Sequence, residues 1–149
     1  MRVVIQRVKS STVEIENKEY ATIDKGLLLL VAFEETDTNM DFEWIINKVI
    51  NLRIINDDEG KMNLSVNDIK GEILVVSQFT LYASTKKGNR PSYIKSAPPK
   101  IAEQLYNQFI ESFKIKFPDI KTGVFGANMQ VKLINDGPVT IIIDSKNKE

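Results

Sequence analysis

At 149 residues, 42% hydrophobic and 27% charged, the chain is long enough for a single domain that buries a core without disulfides or metals. Lys and Arg total 20 and so do Asp and Glu, so no global field recruits a polyanion, and such a ligand needs a local patch. With neither Cys nor His, thiolate nucleophiles and Ser-His or Cys-His triads are excluded, and a zinc site would rest on carboxylates alone.

Any chemistry therefore comes from hydroxyls, amides, carboxylates, Lys, Arg and backbone N–H groups. The longest apolar run, Gly26 to Phe33, is far short of a membrane span. The N-terminus opens directly on a strand pattern, so a cytoplasmic protein with no membrane contact is expected.

Val3, Ile5 and Val8, with Arg2, Gln6 and Arg7 between them, predict an opening strand, and Thr12 to Glu16 alternates as a half-exposed one. Arg7 sits among apolar neighbours and needs a partner if it points inward. Asn17-Lys18 predicts a hairpin turn returning through Tyr20 to Ile23, and Asp24-Lys25-Gly26 a second turn into a central strand from Leu27 to Phe33. Thr38, with Asp41 three positions on, predicts a helix N-cap; Phe42, Ile45, Ile46 and Val49 then recur at helical spacing to about Asn51. Leu52 to Ile55 predicts a short strand before the acidic turn Asn56 to Gly60, which lacks the spacing of a calcium loop and is read as solvated.

The stretch from Glu72 to Tyr82 organises the rest. Ile73 to Val76 has the composition of a strand buried on both faces, after which Ser77, Gln78 and Thr80 interrupt the apolar run of Phe79 and Leu81. Small hydroxyls and an amide at the end of a buried strand either cap it or present rigid donors to a ligand. Ala83 to Pro99 is irregular and carries Lys86, Lys87, Arg90 and Lys95 interleaved with Tyr82 and Tyr93, a composition that suits a phosphate-backbone contact or a solvated loop. Pro98 or Pro99 opens a second helix whose buried face is Ile101, Leu105, Phe109 and Phe113, running to Phe117 and stopped by Pro118. Met129 to Ile134 predicts a strand, Asn135-Asp136-Gly137-Pro138 a turn, and Val139 to Asp144 the last strand. The total is seven or eight strands and two amphipathic helices in one α+β domain over residues 1–149, with a mainly antiparallel, barrel-like sheet.

Ser-Gln-Phe-Thr-Leu at Ser77 to Leu81, together with Asn-Asp-Gly-Pro-Val-Thr at Asn135 to Thr140, resembles the D-aminoacyl-tRNA deacylase family. The segments Val4 to Val8, Gly60 to Leu64, Arg90 to Ser92 and Thr122 to Ala127 resemble the same family, in order and across nearly the whole chain. The resemblance implies a homodimeric hydrolase that cleaves the ester joining a D-amino acid, or mischarged glycine, to the 3′-terminal adenosine of tRNA, without cofactor or metal. The implied role is chiral proofreading in translation quality control. It also implies that Gly137-Pro138 is a cis peptide reaching into the partner subunit's pocket.

On the same resemblance Ser77, Gln78, Phe79 and Thr80 form the catalytic centre, while Gly137, Pro138, Phe125, Met129 and Arg7 bind substrate, with Phe125 and Met129 holding the terminal adenine. Backbone N–H groups near Phe79 and Thr80 would form the oxyanion hole, each donor contributing roughly 3–4 kcal/mol. The substrate's own 2′-hydroxyl would shuttle the proton or orient the water, with the Thr80 hydroxyl as the alternative, either as nucleophile or to orient the water. No DNA partner is expected. A non-catalytic tRNA- or RNA-binding module and a plain oligomerisation domain are the rival readings.

Overall fold

A computed structural model describes residues 1–148. The elements run β1 (Arg2–Ile15), β2 (Lys18–Ile23), β3 (Gly26–Ala32), α1 (Asn39–Asn51), β4 (Ile55–Asn56), β5 (Met62–Leu64), β6 (Glu72–Ser77), a 3-10 helix (Phe79–Tyr82), α2 (Pro99–Lys116), β7 (Lys121–Thr122) and β8 (Gln130–Asp144). The two amphipathic helices and a mostly sheet core make an α+β fold.

The long strand β1 is the hub. On one edge it pairs with β3 through Arg2 to Val8 and with β2 through Ser11 to Ile15; on the other it pairs with β8 along nearly its whole length. These three pairings are antiparallel, but β3–β6 and β6–β7 are parallel, so the sheet is mixed and not the mainly antiparallel one expected. The reason lies in the helices. The chain passes through α1 between β3 and β6 and through α2 between β6 and β7, and a helical crossover is what returns a strand parallel to its neighbour. At the far edge the Lys121 ammonium donates to the Thr22 carbonyl at 2.6 Å and pairs with Glu72 at 3.0 Å. That link draws β7 toward β2 and leaves the sheet nearly closed, like a barrel.

β3 and β6 are buried on both faces, which accounts for their unbroken Leu and Val runs. One face meets both helices: Phe33, Phe42 and Phe109 interlock edge to face at 5.7–5.9 Å beside Leu29, Val31 and Val75. The other collects Val8, Val13, Ile23, Leu28, Leu74 and Val76 inside the curved sheet. Thr38 caps α1 as expected, its N–H donating to Asp41 Oδ2 at 2.9 Å. The Met1 ammonium is fully buried against Asp37 at 2.6 Å and Ser145 Oγ at 2.7 Å, tying the start of β1 to the end of β8.

Several boundaries differ from the sequence expectation. The two opening segments are one 14-residue strand. The strand expected at Leu52 to Ile55 is only Ile55–Asn56, paired with β5 across the acidic turn, and β7 was not anticipated. The larger correction concerns Asn135 to Pro138. It is not a turn between two strands, because β8 continues through it along β1. Val8 faces Asn135 and Gln6 faces Thr140, so Asp136, Gly137, Pro138 and Val139 stand opposite Arg7 alone. The stretch is a wide bulge, with a cis Gly137-Pro138 peptide at its crest. Among the described residues no helix is long and apolar enough to cross a membrane.

Candidate active site

The β6 ladder ends at Ser77. The Gln78 N–H donates to the Val31 carbonyl at 2.7 Å, and the chain then tightens into the 3-10 helix from Phe79 to Tyr82. In such a helix the first residues have no acceptor three positions back, and the N–H groups of Phe79 and Thr80 donate to no carbonyl among the described residues. The Gln78 side-chain amide donates to Thr80 Oγ1 at 2.5 Å, which fixes the hydroxyl and uses one of its lone pairs.

Beside this corner lies a cleft of about 650 Å³ with three walls. Ser77, Gln78 and Phe79 form the first; Tyr93, Ser96, Ala97 and Pro98 the second; and residues 125–129 the third. The Phe79 ring is 54% exposed at the mouth and meets Tyr93 edge to face at 5.1 Å. Deeper in, Phe125 leans on Tyr106 at 5.7 Å. Burial pushes the Tyr106 hydroxyl up to about 12, partly offset by a hydrogen bond to Thr122, so it stays neutral and donates to the Val75 carbonyl at 3.3 Å. Phe125 thus rests on a side chain pinned to the core. Met129 owes its position to Gly123, where a Cβ would stand 2.5 Å from the Met129 sulfur. A flat ring and a soft thioether on one apolar wall suit a heteroaromatic base.

Arg7, Gly137 and Pro138 form a second cluster and do not line this cleft. Arg7 is only 6% exposed and points inward. Its Nε donates to the Asp136 carbonyl at 2.9 Å, and its Nη1 to the Ile54 carbonyl at 2.7 Å and to Asn56 Oδ1 at 2.9 Å. The Asp136 carboxylate lies 3.4 Å from Nε. Gly137 holds φ +120°, which a side chain resists, and its absent Cβ would lie 2.8 Å from Arg7 Nη2. Gly137 and Pro138 themselves are exposed. Thr80 is not on the cleft lining either, being held behind Gln78.

Of the nine residues singled out in the sequence, five share the cleft and three share the Arg7 cluster. Tyr106, Gly123, Ile54 and Asn56 were missed. Tyr106 reads as one more apolar helix position, and the other three act through backbone proximity or a single side-chain oxygen that leaves no pattern. Among the described residues, no three His, Cys, Asp or Glu side chains converge to hold a metal ion.

The family model described as D-Tyr-tRNA(Tyr) deacylase matches residues 4–144. A D-aminoacyl-tRNA deacylase of Flavobacterium psychrophilum is 59% identical over 150 residues, covering 100% of both chains. One of Thermosipho africanus is 53% identical over 146 residues, covering 98% of each. Among solved structures, a c-Myc DNA Unwinding Element Binding Protein superposes with a TM-score of 0.91 at 39% identity, over 97% of this chain and 98% of that one. A probable eukaryotic D-amino acid tRNA deacylase superposes with a TM-score of 0.83 at 16% identity, over 95% and 97%, a likeness of fold alone. With relatives this similar along its entire length, the chain that folds Ser77 to Phe79 against Phe125 and Met129 belongs to the D-Tyr-tRNA(Tyr) deacylase family.

Proposed function

We propose that this protein hydrolyses the ester between a D-amino acid, or glycine, and the 3′-terminal adenosine of tRNA in the cytoplasm, sparing L-aminoacyl esters. The observation that carries the reading is the cleft itself: Ser77 to Phe79 form one wall, with N–H groups that have no acceptor among the described residues at Phe79 and at Thr80 just behind it, and a base-sized apolar surface, Phe125 with Met129, forms another. The adenine rests on Phe125 and Met129, which brings the ester carbonyl to the corner after Ser77. Water adds to that carbon, and the oxygen takes up negative charge against the two N–H donors, each lowering the barrier by roughly 3–4 kcal/mol. The carbon–oxygen bond to the ribose then breaks, and the proton lost by the water passes by way of the 2′-hydroxyl to the 3′-oxygen. Neither His nor Cys is needed. Thr80 orients this corner and does not attack, since among the described residues no base hydrogen-bonds its hydroxyl and the Gln78 amide already occupies it.

A second copy of the chain completes the site by inserting Gly137-Pro138. Three observations support this. The bulge is exposed and stands outside the cleft of its own chain. The outer edge of β8 is unpaired among the described residues and exposes Ile134 and Ile142, a long apolar edge that calls for cover. Gln6 Oε1, whose amide nitrogen bonds Asn135 beside the bulge, is buried without a partner among the described residues. In the dimer, carbonyls of the bulge accept from the substrate ammonium, and an L side chain would collide with the bulge while a D side chain points to solvent.

Incubation with D-Tyr-tRNA and L-Tyr-tRNA tests the reading, with loss of the ester followed for both. Rapid loss of the D ester alone is expected. Binding of both without hydrolysis would make the protein a non-catalytic RNA-binding module instead.

A further inference from the structure

Between Ile73 and Ala102 the chain carries Lys86, Lys87, Arg90, Lys95 and Lys100 and not one carboxylate, in a protein of zero net charge. All five cations are exposed, and among the described residues none takes part in an ion pair. A solvated loop of balanced composition would hold neighbouring anions. Here a local positive field stands on a background that the rest of the chain makes negative.

The backbone fixes where that field lies. Ser84 and Ser92 exchange two hydrogen bonds, at 2.8 and 3.0 Å, closing a tip that contains Lys86, Lys87 and Arg90. Farther on, the Ala97 N–H donates to the Phe33 carbonyl at 2.9 Å and anchors the loop beside the end of β3. Tyr93 and Ala97 of this same loop wall the cleft, with Lys95 between them in sequence. The loop that walls the candidate active site through Tyr93 and Ala97 thus carries its cations exposed to solvent and is held by both sets of contacts.

We infer that this loop is the binding site for the sugar-phosphate backbone of the single strand whose terminal nucleoside enters the cleft, an inference that rests on the reading of the cleft given above. A nucleoside seated there continues through its 5′-oxygen into a phosphodiester, and every further nucleotide adds one negative charge. Exposed Lys and Arg side chains at the rim meet those charges without reading sequence. The Phe79–Tyr93 ring pair, and Ile94, 93% exposed, add apolar surface for an unstacked base. An acidic peptide would feel the same charge but has no use for the rings or for a terminal nucleoside. Productive binding of tRNA is therefore salt-dependent through this loop, whereas chemistry at the ester is not.

The test uses the full chain and a triple variant, Lys86→Ala, Lys87→Ala and Arg90→Ala. Binding is measured with deacylated tRNA across a salt series, and hydrolysis with D-Tyr-tRNA and with 3′-O-D-tyrosyl-adenosine, which has no phosphate. The triple variant should bind tRNA at least about tenfold more weakly near 0.1 M salt, with a salt slope shallower by about 2, since each single-strand phosphate contact contributes about 0.7. KM for D-Tyr-tRNA should rise with kcat little changed, the phosphate-free ester should be cleaved as by the wild type, and Lys86→Arg, Lys87→Arg, Arg90→Lys should restore binding. Wild-type tRNA affinity and slope in the triple variant, or equal losses on both esters, would overturn the assignment. If binding depends on the loop while neither ester is cleaved by the wild type, the assignment stands and the hydrolase reading falls.

Discussion

Arg7 holds Asp136 by its backbone: the guanidinium Nε donates to the Asp136 carbonyl at 2.9 Å, at the foot of the bulge that carries Gly137-Pro138. The same guanidinium binds Ile54 and Asn56, so three acceptors from two separate chain segments meet at one buried cation. A planar fork can address acceptors in several directions; a Lys ammonium at the end of a flexible stem cannot hold all three.

Arg7→Ala should therefore cost about 3–5 kcal/mol in urea unfolding, because the buried Ile54 carbonyl and the partly buried Asp136 and Asn56 acceptors lose their partner together. Arg7→Lys should remain folded yet lose about 100-fold in single-turnover deacylation, since a displacement of about 1 Å in a positioning element is enough for that. Wild-type turnover by Arg7→Lys would show that the bulge is held by something else.

On the proposed mechanism, in which the hydroxyl only orients the corner and the N–H groups carry the electrostatic load, Thr80→Ala should retain activity within about tenfold. A loss of about 10⁴-fold with the fold intact, checked by circular dichroism, would return Thr80 to the role of essential nucleophile.

How far the sequence carries is clear at these two places. The apolar periodicity of α2 and the double-sided burial of β6 are written in residue type, and both elements stand where expected, as does the N-cap of α1. Asn-Asp-Gly-Pro is good turn chemistry read locally. It becomes a bulge because β1 stays paired on both sides of Arg7, a long-range register that no local pattern encodes. The parallel pairing of β3 with β6 was legible in principle from the helix between them, but short apolar strands do not announce their direction. The cleft was half legible. Ser77 to Phe79 end a buried strand, whereas Gly123 matters only because the Met129 sulfur comes to lie over it.

Acid should unfold the protein partly through Asp41. Burial alone would raise its pKa, but hydrogen bonds from Lys146, Ser145 and Thr38 hold the carboxyl well below the usual carboxylate range. A group depressed in the folded state contributes its stability above the unfolded value, near 3.9, and loses it as pH falls through the lower folded value. Asp41→Asn should cost about 1–2 kcal/mol at pH 7, the scale of a lost cap with its ion pair. The gap to wild type should narrow in urea melts below about pH 4. A gap that stays constant down to pH 3 would remove the charge from the explanation.

Ile134→Asp should yield a monomer in sedimentation, because it places a carboxylate on the exposed apolar edge of β8 one residue before the Asn135 end of the bulge. Deacylation should fall with the dimer, as each cleft would lose the Gly137-Pro138 of its partner. A fully active monomer would mean that one chain suffices.

The most direct measurement is the hydrolysis of D-Ala-, L-Ala- and Gly-tRNA by the wild type under identical conditions. Rejection by collision with a fixed backbone bulge depends on the presence of an L side chain and on nothing else about the amino acid. D-Ala- and Gly-tRNA should both be cleaved, and L-Ala-tRNA should be slower by at least about 100-fold, as a pocket that discriminates a single methyl group allows. Rapid cleavage of D-Ala-tRNA with glycyl-tRNA spared would contradict the account, since exclusion by shape cannot reject the smaller substrate.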